Sequence, residues 1–581
     1  FLNIAANQLT SLDVSANTAL TALRCHLNSL TSLDVSLNTA LTELYCMNNQ
    51  LTYLNMKNGV ADQLSLFNAT ENALTCIEVT ANNVSYATEN WTSIGGEIDP
   101  GVSFAVCCNN IEEISIWYVA TSGSDNSGCG DQESPFATIQ AGIDNASSGD
   151  TVNVAAGTYV ENINFNGKNI AVIGADSSNT IIDGGDAGTV VSFDATEATW
   201  YTTPVLKNFT LQNGKAENGG GIYVISTYPE ISFVTVKACS AGFGGGILYN
   251  TGTNNSSLKN SIIRNNTGAG SGGGVYLTMS GSGLLISDVL IHQNTSAYGG
   301  GMHFDNYSSP TLKNVIITEN YSTDTGGGLY GFKIHNSLMS NVLIANNTAT
   351  NRGGGLVLDH SKMTMINVTI TGNTADNVGG GVHLWGKSKA TMINSVMWDN
   401  SPQEIYMSAG PTDTGTDTIS VYYSDIEGDL SDIETTSYST VIWGNGNMDI
   451  DPLFVDADNG DYHLSDLSPV ISAGTDSVQI DGNWYVAPTT DIEGNPRPNP
   501  AGTVSDMGAY ENENGVGLYD GPIWYVDSNL ELPYANGSDS AKFSKIQYGI
   551  NAAAAGDTVL VSAGTYAENI NFNGKNIAVI G

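Results

Sequence analysis

The chain has 581 residues, more than one ordinary domain of about 100–200 residues. Only 13% of them are charged, and 58 acidic side chains against 18 basic ones leave a net charge of −40. That excess argues against a nucleic-acid partner, whose affinity rests on clustered Lys and Arg. No 18-residue apolar run exists to serve as a transmembrane helix.

In chain order, residues 7–27 (NQLTSLDVSANTALTALRCHL) and 28–48 (NSLTSLDVSLNTALTELYCMN) match at a period of 21. Each half-repeat carries a phrase such as Leu12, Val14, Asn17 or Leu23, Cys25, Asn28. Residues 1–73 therefore resemble a bacterial leucine-rich repeat. The resemblance implies inward leucines, with Asn17, Asn28, Asn38 and Asn49 bonding turn backbones, and a protein partner in preference to catalysis; a plain spacer is the competing reading. Residues 74–116 read as cap and linker, because a solenoid must cover its last apolar layer. The seven cysteines (Cys25, Cys46, Cys76, Cys107, Cys108, Cys129, Cys239) contain no CxxC pair. Cys25 and Cys46 sit at equivalent repeat positions and read as buried. Cys76 with Cys107 or Cys108 is a candidate disulfide, which suits an oxidising compartment.

Residues 117–190 start a new unit. Ser134-Pro135 predicts a helix start, with Phe136, Ile139 and Ile143 on one face and Gly149 as its end, a lid over the first coil. The following GDTVNVAAGTYVENINFNGKNIAVIGADSSNTIIDGG resembles the entry of pectin-lyase-like right-handed parallel β-helices. In that resemblance AGTYVENI and KNIAVIG form the first coil and TIIDG the next. Residues 524–581 align with 117–174 without a gap, and GTYAENINFNGKNIAVIG repeats GTYVENINFNGKNIAVIG with one change, Val160 against Ala567. The duplication predicts the start of a second β-helix. Beginning at Phe1 and ending at Gly581 inside repeats, the sequence reads as a fragment.

Residues 191–410 are organised by a triple glycine that returns seven times, starting at Gly219, Gly244, Gly272, Gly299, Gly326, Gly353 and Gly379. Self-similarity at this period signals a solenoid, and each repeat offers short β-branched runs such as Leu312 to Asn320. Lacking a following helix and lysine, the triplets are no phosphate loop. A polar column reads Asn213, Ser240, Asn266, Asn294, Asn320, Asn347, Asn373 and Asn400; in register, such amides pass hydrogen bonds from coil to coil. After each triplet a strand begins and side chains alternate faces. The third and fifth positions from the first glycine are mostly apolar and predicted inward, the fourth and sixth outward. Tyr276, His303, Asp305, Tyr330, Phe332, Asp359, His383 and Trp385 are thereby predicted to share one exposed strip. Aromatic faces beside polar groups suit carbohydrate, although sheet surfaces favour Tyr, Phe and Trp in any case.

Asp305 and Asp359, two coils apart, stand about 10 Å from each other at a coil spacing of about 4.8 Å. That is marginal for the carboxylate pair of a glycosidase, at most about 9.5 Å. The arginines are Arg24, Arg264, Arg352 and Arg497, and Arg264, opposite His292, has no carboxylate cluster in its columns. No catalytic constellation emerges.

Residues 411–523 close the β-helix after a polar loop (Pro411 to Ser420). The phrases Asp451-Pro452-Leu453-Phe454, Asp461-Tyr462-His463-Leu464 and Gly508-Ala509-Tyr510-Glu511 resemble the choice-of-anchor Q closing region of bacterial surface β-helix proteins. That resemblance implies an extracellular or cell-surface bacterial protein without implying an activity. Asp449, Asp451, Asp456, Asp458 and Asp461 read as turn residues before a calcium site, and no cofactor is firmly implied. The expected fold is an all-β solenoid: leucine-rich repeats, then a right-handed parallel β-helix, then the start of another. The expected function is adhesion or binding of a polysaccharide or cell-surface glycan without catalysis. The alternatives are a polysaccharide lyase or glycoside hydrolase acting on acidic glycans, and a rigid stalk.

Overall fold

A computed structural model describes residues 1–108, 115–126, 128–195, 202–250, 256–278, 282–408, 416–436, 438–515, 521–529, 535, 537–539 and 541–581. The chain divides into two compact units, Phe1–Tyr159 with Asn169–Thr180, and Val160–Lys168 with Ile181–Gly581.

The first unit opens as a parallel solenoid. Leu2–Asn3, Ala22–Arg24, Glu43–Tyr45 and Leu66–Asn68 form one four-stranded sheet; Ser32–Asp34, Tyr53–Met56, Cys76–Val79 and Ser103–Ala105 form another. The 21-residue period produces this by register: Leu2, Leu23, Leu44 and Phe67 are successive partners. Leu23, Leu30, Leu33, Leu44 and Leu54 are fully buried between the sheets, with Cys25 and Cys46 among them. Asn28, Asn49 and Asn72 hold the turns. The Asn49 amide donates to the carbonyls of Cys25 and Cys46, at 3.1 and 3.0 Å, while its oxygen accepts from the Leu30 N–H. Asn38 donates to the Val14 and Asn17 carbonyls. The disulfides are Cys76–Cys108 and Cys107–Cys129, so the sequence alternative resolves to Cys108, and Cys107 takes a partner the spacing did not suggest.

The entry helix spans Ile139–Asn145 and its cap is Thr138, whose side chain accepts from the Ala141 N–H. The predicted start at Ser134-Pro135 is corrected: Asp125 accepts from the Ala137 and Thr138 N–H groups and holds that segment extended. Gly142 lies against Val119 and Val152 of the first coil, where a Cβ would come within 2.9 Å of either.

In the second unit each regular coil contributes one strand to each of three parallel sheets. A front sheet of 11 strands runs from Ile163–Asn164 to Ile433–Thr435, and a side sheet of 7 from Lys215–Asn218 to Thr374–Ala375. A back sheet runs from Val205–Gln212 through strands such as Ser309–Thr318 to Ser439–Trp443. The solenoid as a whole has about 13 turns. Coil stacking continues past residue 410, because Asp417–Tyr422 pairs with Lys389–Ile393 on one side and Ser439–Trp443 on the other. Of the predicted polar loop, residues 411–415 lie outside the described residues.

Beyond Phe454 the chain stops coiling and packs on the outer side of the back sheet. Tyr462, Ile492, Ala509 and Tyr510 bury Leu343 and Ala345; Leu464, Val470, Ile471 and Met507 bury Val396. Asn341, Asn367 and Asn394, each with positive φ in mid-sheet, donate to the carbonyls of Thr490, Asp506 and Thr475 in this segment. Arg497 lies beneath it, fully buried, donating to the carbonyls of Asp506, Gly508 and Ala509 and standing 3.3 Å from Glu511.

The duplicated segment repeats most elements of its copy, without strands equivalent to Gly157–Val160 and Ile163–Asn164. Ile523–Val526, the helix Ile546–Ala552, Thr558–Val561 and Ala578–Ile580 repeat Ile116–Val119, Ile139–Asn145, Thr151–Val154 and Ala171–Gly174. Even the indole hydrogen bond recurs: Trp117 Nε1 to Asp150 and Trp524 Nε1 to Asp557, both 2.9 Å.

Candidate functional site

The triple glycines sit where the side sheet turns into the front sheet, and each of the three has its own task. Gly299 adopts φ +66°, and a side chain there would lie 3.0 Å from the Cβ of His303, over which the turn folds. A Cβ on Gly300 would come 2.5 Å from the Tyr321 carbonyl oxygen and 2.6 Å from that of Gly327. One on Gly301 would meet the Gly328 carbonyl at 2.6 Å and the Asn320 amide at 2.9 Å. Glycine is required because coils stack backbone on backbone here.

Beneath the third glycine runs the asparagine ladder. Asn266, Asn294, Asn320, Asn347 and Asn373 each donate Nδ2 to the next residue's Oδ1, at 3.0, 3.0, 2.9, 2.9 and 2.8 Å, ending at Asn400. Asn400 donates to Glu404 at 2.6 Å, a carboxyl that burial pushes up to about 8. The predicted membership of Asn213, and with it Ser240, is corrected. The ladder rung follows a left-handed residue, and Asn213 is itself left-handed, so its amide turns out to Asp183. The rungs in those coils are Gly214 and Cys239, and the Cys239 N–H donates to Asn266 Oδ1.

On the front sheet the third and fifth positions are inward, as the alternation predicts; Met302, Phe304, Leu356 and Leu358 are fully buried. The fourth positions form one register line, Tyr276, His303, Tyr330, Val357, His383 and Tyr406. They lie on the outer face, yet the predicted exposed strip is corrected for most of its members. Tyr276, His303, Asp359 and His383 are buried, Asp305, Tyr330 and Phe332 half-buried, and only Trp385 is exposed. The cause is the turn glycine folded over each fourth position, together with ring-on-ring stacking along the coils. Tyr276 to His303 is 5.0 Å between centroids, His303 to Tyr330 4.7 Å, and His383 to Tyr406 5.5 Å.

The polar tips of this ladder are spent internally. Each reaches diagonally from a fourth position to the sixth position of the next coil: Tyr276 donates to Asp305 at 3.1 Å, Tyr330 to Asp359 at 3.0 Å, and His383 Nε2 meets the Ser408 hydroxyl at 2.7 Å. His303 has no protein partner at either ring nitrogen among the described residues. Burial holds His303 and His383 down to about 3, pushes Tyr276 up to about 12, and raises Tyr330 and Asp305. Buried neutral imidazoles and hydroxyls already bonded to carboxylates pack; they do not present a base to solvent.

What the face offers solvent is a rim. Phe243 (5.8 Å from Tyr276) and Tyr298 (5.9 Å from Tyr330) flank the ladder from the side sheet, and Arg352 lies 5.1 Å over the exposed Trp385 ring. Phe332 completes it, with the Lys333 ammonium 4.4 Å over its ring. Phe243, Tyr298 and Arg352 escaped the sequence reading although a signal was present: each is the residue immediately before a glycine triplet, a column that register joins.

The other candidates are settled locally. Arg264 does stand opposite His292, but on the back sheet. In the closing region Asp451 accepts from Leu453, Asp456 from Asn459 and Asp461 from His463, as turn residues do, whereas Asp449 accepts from the Gly428 N–H 21 residues earlier. Among the described residues no three His, Cys, Asp or Glu side chains converge to hold a metal ion.

A family description for a right handed beta helix region matches residues 191–367 and 259–397. The fold is a right-handed parallel β-helix. No curated protein matches the chain. Among solved structures, the complex of XylC with xylose is 13% identical over 69% of this chain and 99% of its own, with a TM-score of 0.43. The pectate lyase Pel9A is 17% identical over 69% and 98%, TM-score 0.35. The A-module of the mannuronan C-5 epimerase AlgE4 from Azotobacter vinelandii is 16% identical over 57% and 96%, TM-score 0.40.

Proposed function

We propose that this β-helix is an extracellular, surface-associated adhesion or carbohydrate-binding module that does not catalyse. The observation that carries the reading is the front rim: Phe243, Tyr298 and Trp385 present rings to solvent, with Phe332 half-buried among them, beside a ladder whose tyrosine hydroxyls are already paired. Sugar rings stack on aromatic faces, and a rigid, pre-formed platform binds without ordering cost. Two disulfides support an oxidising compartment, of which the cell exterior is one. The leucine-rich character of residues 1–73, its protein partner and the choice-of-anchor Q character of the closing region belong to the same proposal. A lyase or hydrolase of acidic glycans is the rival reading; the internal spending of Asp305 and Asp359 weighs against it.

The test is a glycan array probed with the intact chain, followed by titration of the best neutral glycan. Substituting Tyr298→Ala with Trp385→Ala weakens binding at least tenfold if the reading holds. Binding indifferent to the pair, or release of unsaturated or reducing products from the glycan, overturns it.

A further inference from the structure

The corner where the front sheet turns into the back sheet gathers basic residues on this acidic chain. Three successive coils place a triplet there: Lys333-Ile334-His335, His360-Ser361-Lys362 and Lys387-Ser388-Lys389. The middle residues are buried and bolted together. The Ile334 N–H donates to Ser361 Oγ, the Ser361 N–H to Ser388 Oγ, and the Ser388 N–H to Asp417, at 3.1, 3.0 and 2.7 Å. Each triplet's outer residues are thereby turned outward; all but the half-buried Lys333 are exposed.

Apart from Lys333, the charged residues line a cleft of about 260 Å³, formed by Ile334, His335, His360, Lys362, Lys387 and Lys389 with their neighbours. Lys362 and Lys389 are direct register partners on adjacent coils, and like charges so placed repel and destabilise. Neither forms an ion pair among the described residues. Of the carboxylates around the corner, Asp359 is taken by His360 Nδ1 at 2.5 Å and the Tyr330 hydroxyl, Asp305 attracts Lys333, and Asp417 lies buried beneath, accepting from the Ser388 N–H. A chain with 18 basic residues in 581 has put four lysines and two histidines into one corner, and the repulsion between Lys362 and Lys389 is a cost that an anion would remove.

We infer that this corner binds a sulfated glycan. The inference rests on the carbohydrate-binding reading and names the sugar class. The charges repeat along the helix axis at the coil spacing of about 4.8 Å, so the corner fits a linear polyanion better than a single ion. The array contains lysine and no arginine. Lysine acts as a point charge with no planar fork to match, so the corner selects by charge density and spacing, not by acceptor geometry. Sulfate esters keep their full charge at every physiological pH. The acidic remainder of the surface repels polyanions, so the contact is confined to the corner and falls with added salt.

The experiment titrates the intact chain with a sulfated galactan, its desulfated parent, polygalacturonate and a neutral glycan found by array. The wild type and a Lys362→Gln, Lys387→Gln, Lys389→Gln triple variant, which spares the rim residue Lys333, are compared at two salt concentrations, with thermal unfolding confirming that these surface changes leave the fold intact. The expected result is at least tenfold preference for the sulfated over the desulfated galactan, lost in the triple variant and weakened by salt, with neutral-glycan binding unchanged. Equal or tighter binding of polygalacturonate, or sulfated-galactan binding that survives the triple substitution, overturns the inference. Failure of the neutral glycan alone, with sulfate selectivity intact, overturns only the rim reading.

Discussion

Tyr330 donates its hydroxyl to Asp359 one coil further on, at 3.0 Å, and the relationship repeats two coils away between Tyr276 and Asp305 at 3.1 Å. The front face is therefore cross-linked along the helix axis by side chains as well as by strand pairing. Tyr330→Phe removes the donor while leaving the buried Asp359 carboxylate in place, an imbalance that costs about 1–3 kcal/mol. Chemical denaturation should show the loss, and Tyr330→Phe combined with Asp359→Leu should recover part of it.

His303 offers a sharper sign. Its imidazole is buried without a protein partner, and burial holds it near 3, against about 6.5 in the unfolded chain. The unfolded state thus binds the proton first. Stability contributed by the neutral ring is complete above about pH 6.5 and is lost as pH falls toward 3, by up to about 1.4 kcal/mol per pH unit. His303→Leu should unfold later than wild type at neutral pH, by about 1–3 kcal/mol, and flatten the acid limb of a melting-temperature profile. A variant less stable than wild type at pH 7 would show that the imidazole makes a contact worth keeping.

Asn320 is a mid-ladder rung whose oxygen accepts from the N–H and amide of Asn294 and whose amide donates to Ile291 and Asn347. Asn320→Leu strands several buried polar groups at about 1–3 kcal/mol each. The expected loss is about 3 kcal/mol or more, seen as a lower denaturation midpoint.

Arg497 and Glu511 form an ion pair with both side chains fully buried. Arg497→Ala leaves a buried charge uncompensated, which costs about 3–5 kcal/mol. Hydrogen exchange should report the loss in the segment from Tyr462 to Glu511 and in the back-sheet strands it covers, Ser337–Ala345 and Lys362–Thr371. The pair Arg497→Met with Glu511→Leu should recover much of the stability, because replacing a buried ion pair by apolar groups is often neutral.

Cys76–Cys108 and Cys107–Cys129 close loops of 32 and 22 residues in separation. Each is worth about 3–4 kcal/mol in the chain-entropy account. Reduction should lower the melting temperature of the first unit, and Cys76→Ser with Cys108→Ser should abolish part of that sensitivity.

Periodicity determined the coils. The glycine triplets, the asparagine column from Asn266 to Asn400 and the alternation of Met302 and Phe304 against His303 were legible because a solenoid repeats one local solution, and local geometry is what sequence spacing encodes. The duplicated entry at 524–581 was legible for the same reason. Exposure was not. Whether His303 or His383 meets water depends on the Gly299 and Gly379 turns folding across the sheet and on rings stacking from coils 27 residues away, and no single strand contains that information. The ladder failed by one position at Asn213 because only the backbone shows which of two adjacent residues takes the left-handed conformation. The closing region's return over Leu343 and Val396, with Arg497 beneath it, joins residues as far apart as the 149 positions between Asn341 and Thr490. The lysine corner had the same 27-residue period as the glycines, but it became a site only when the stacked coils brought Lys362 opposite Lys389.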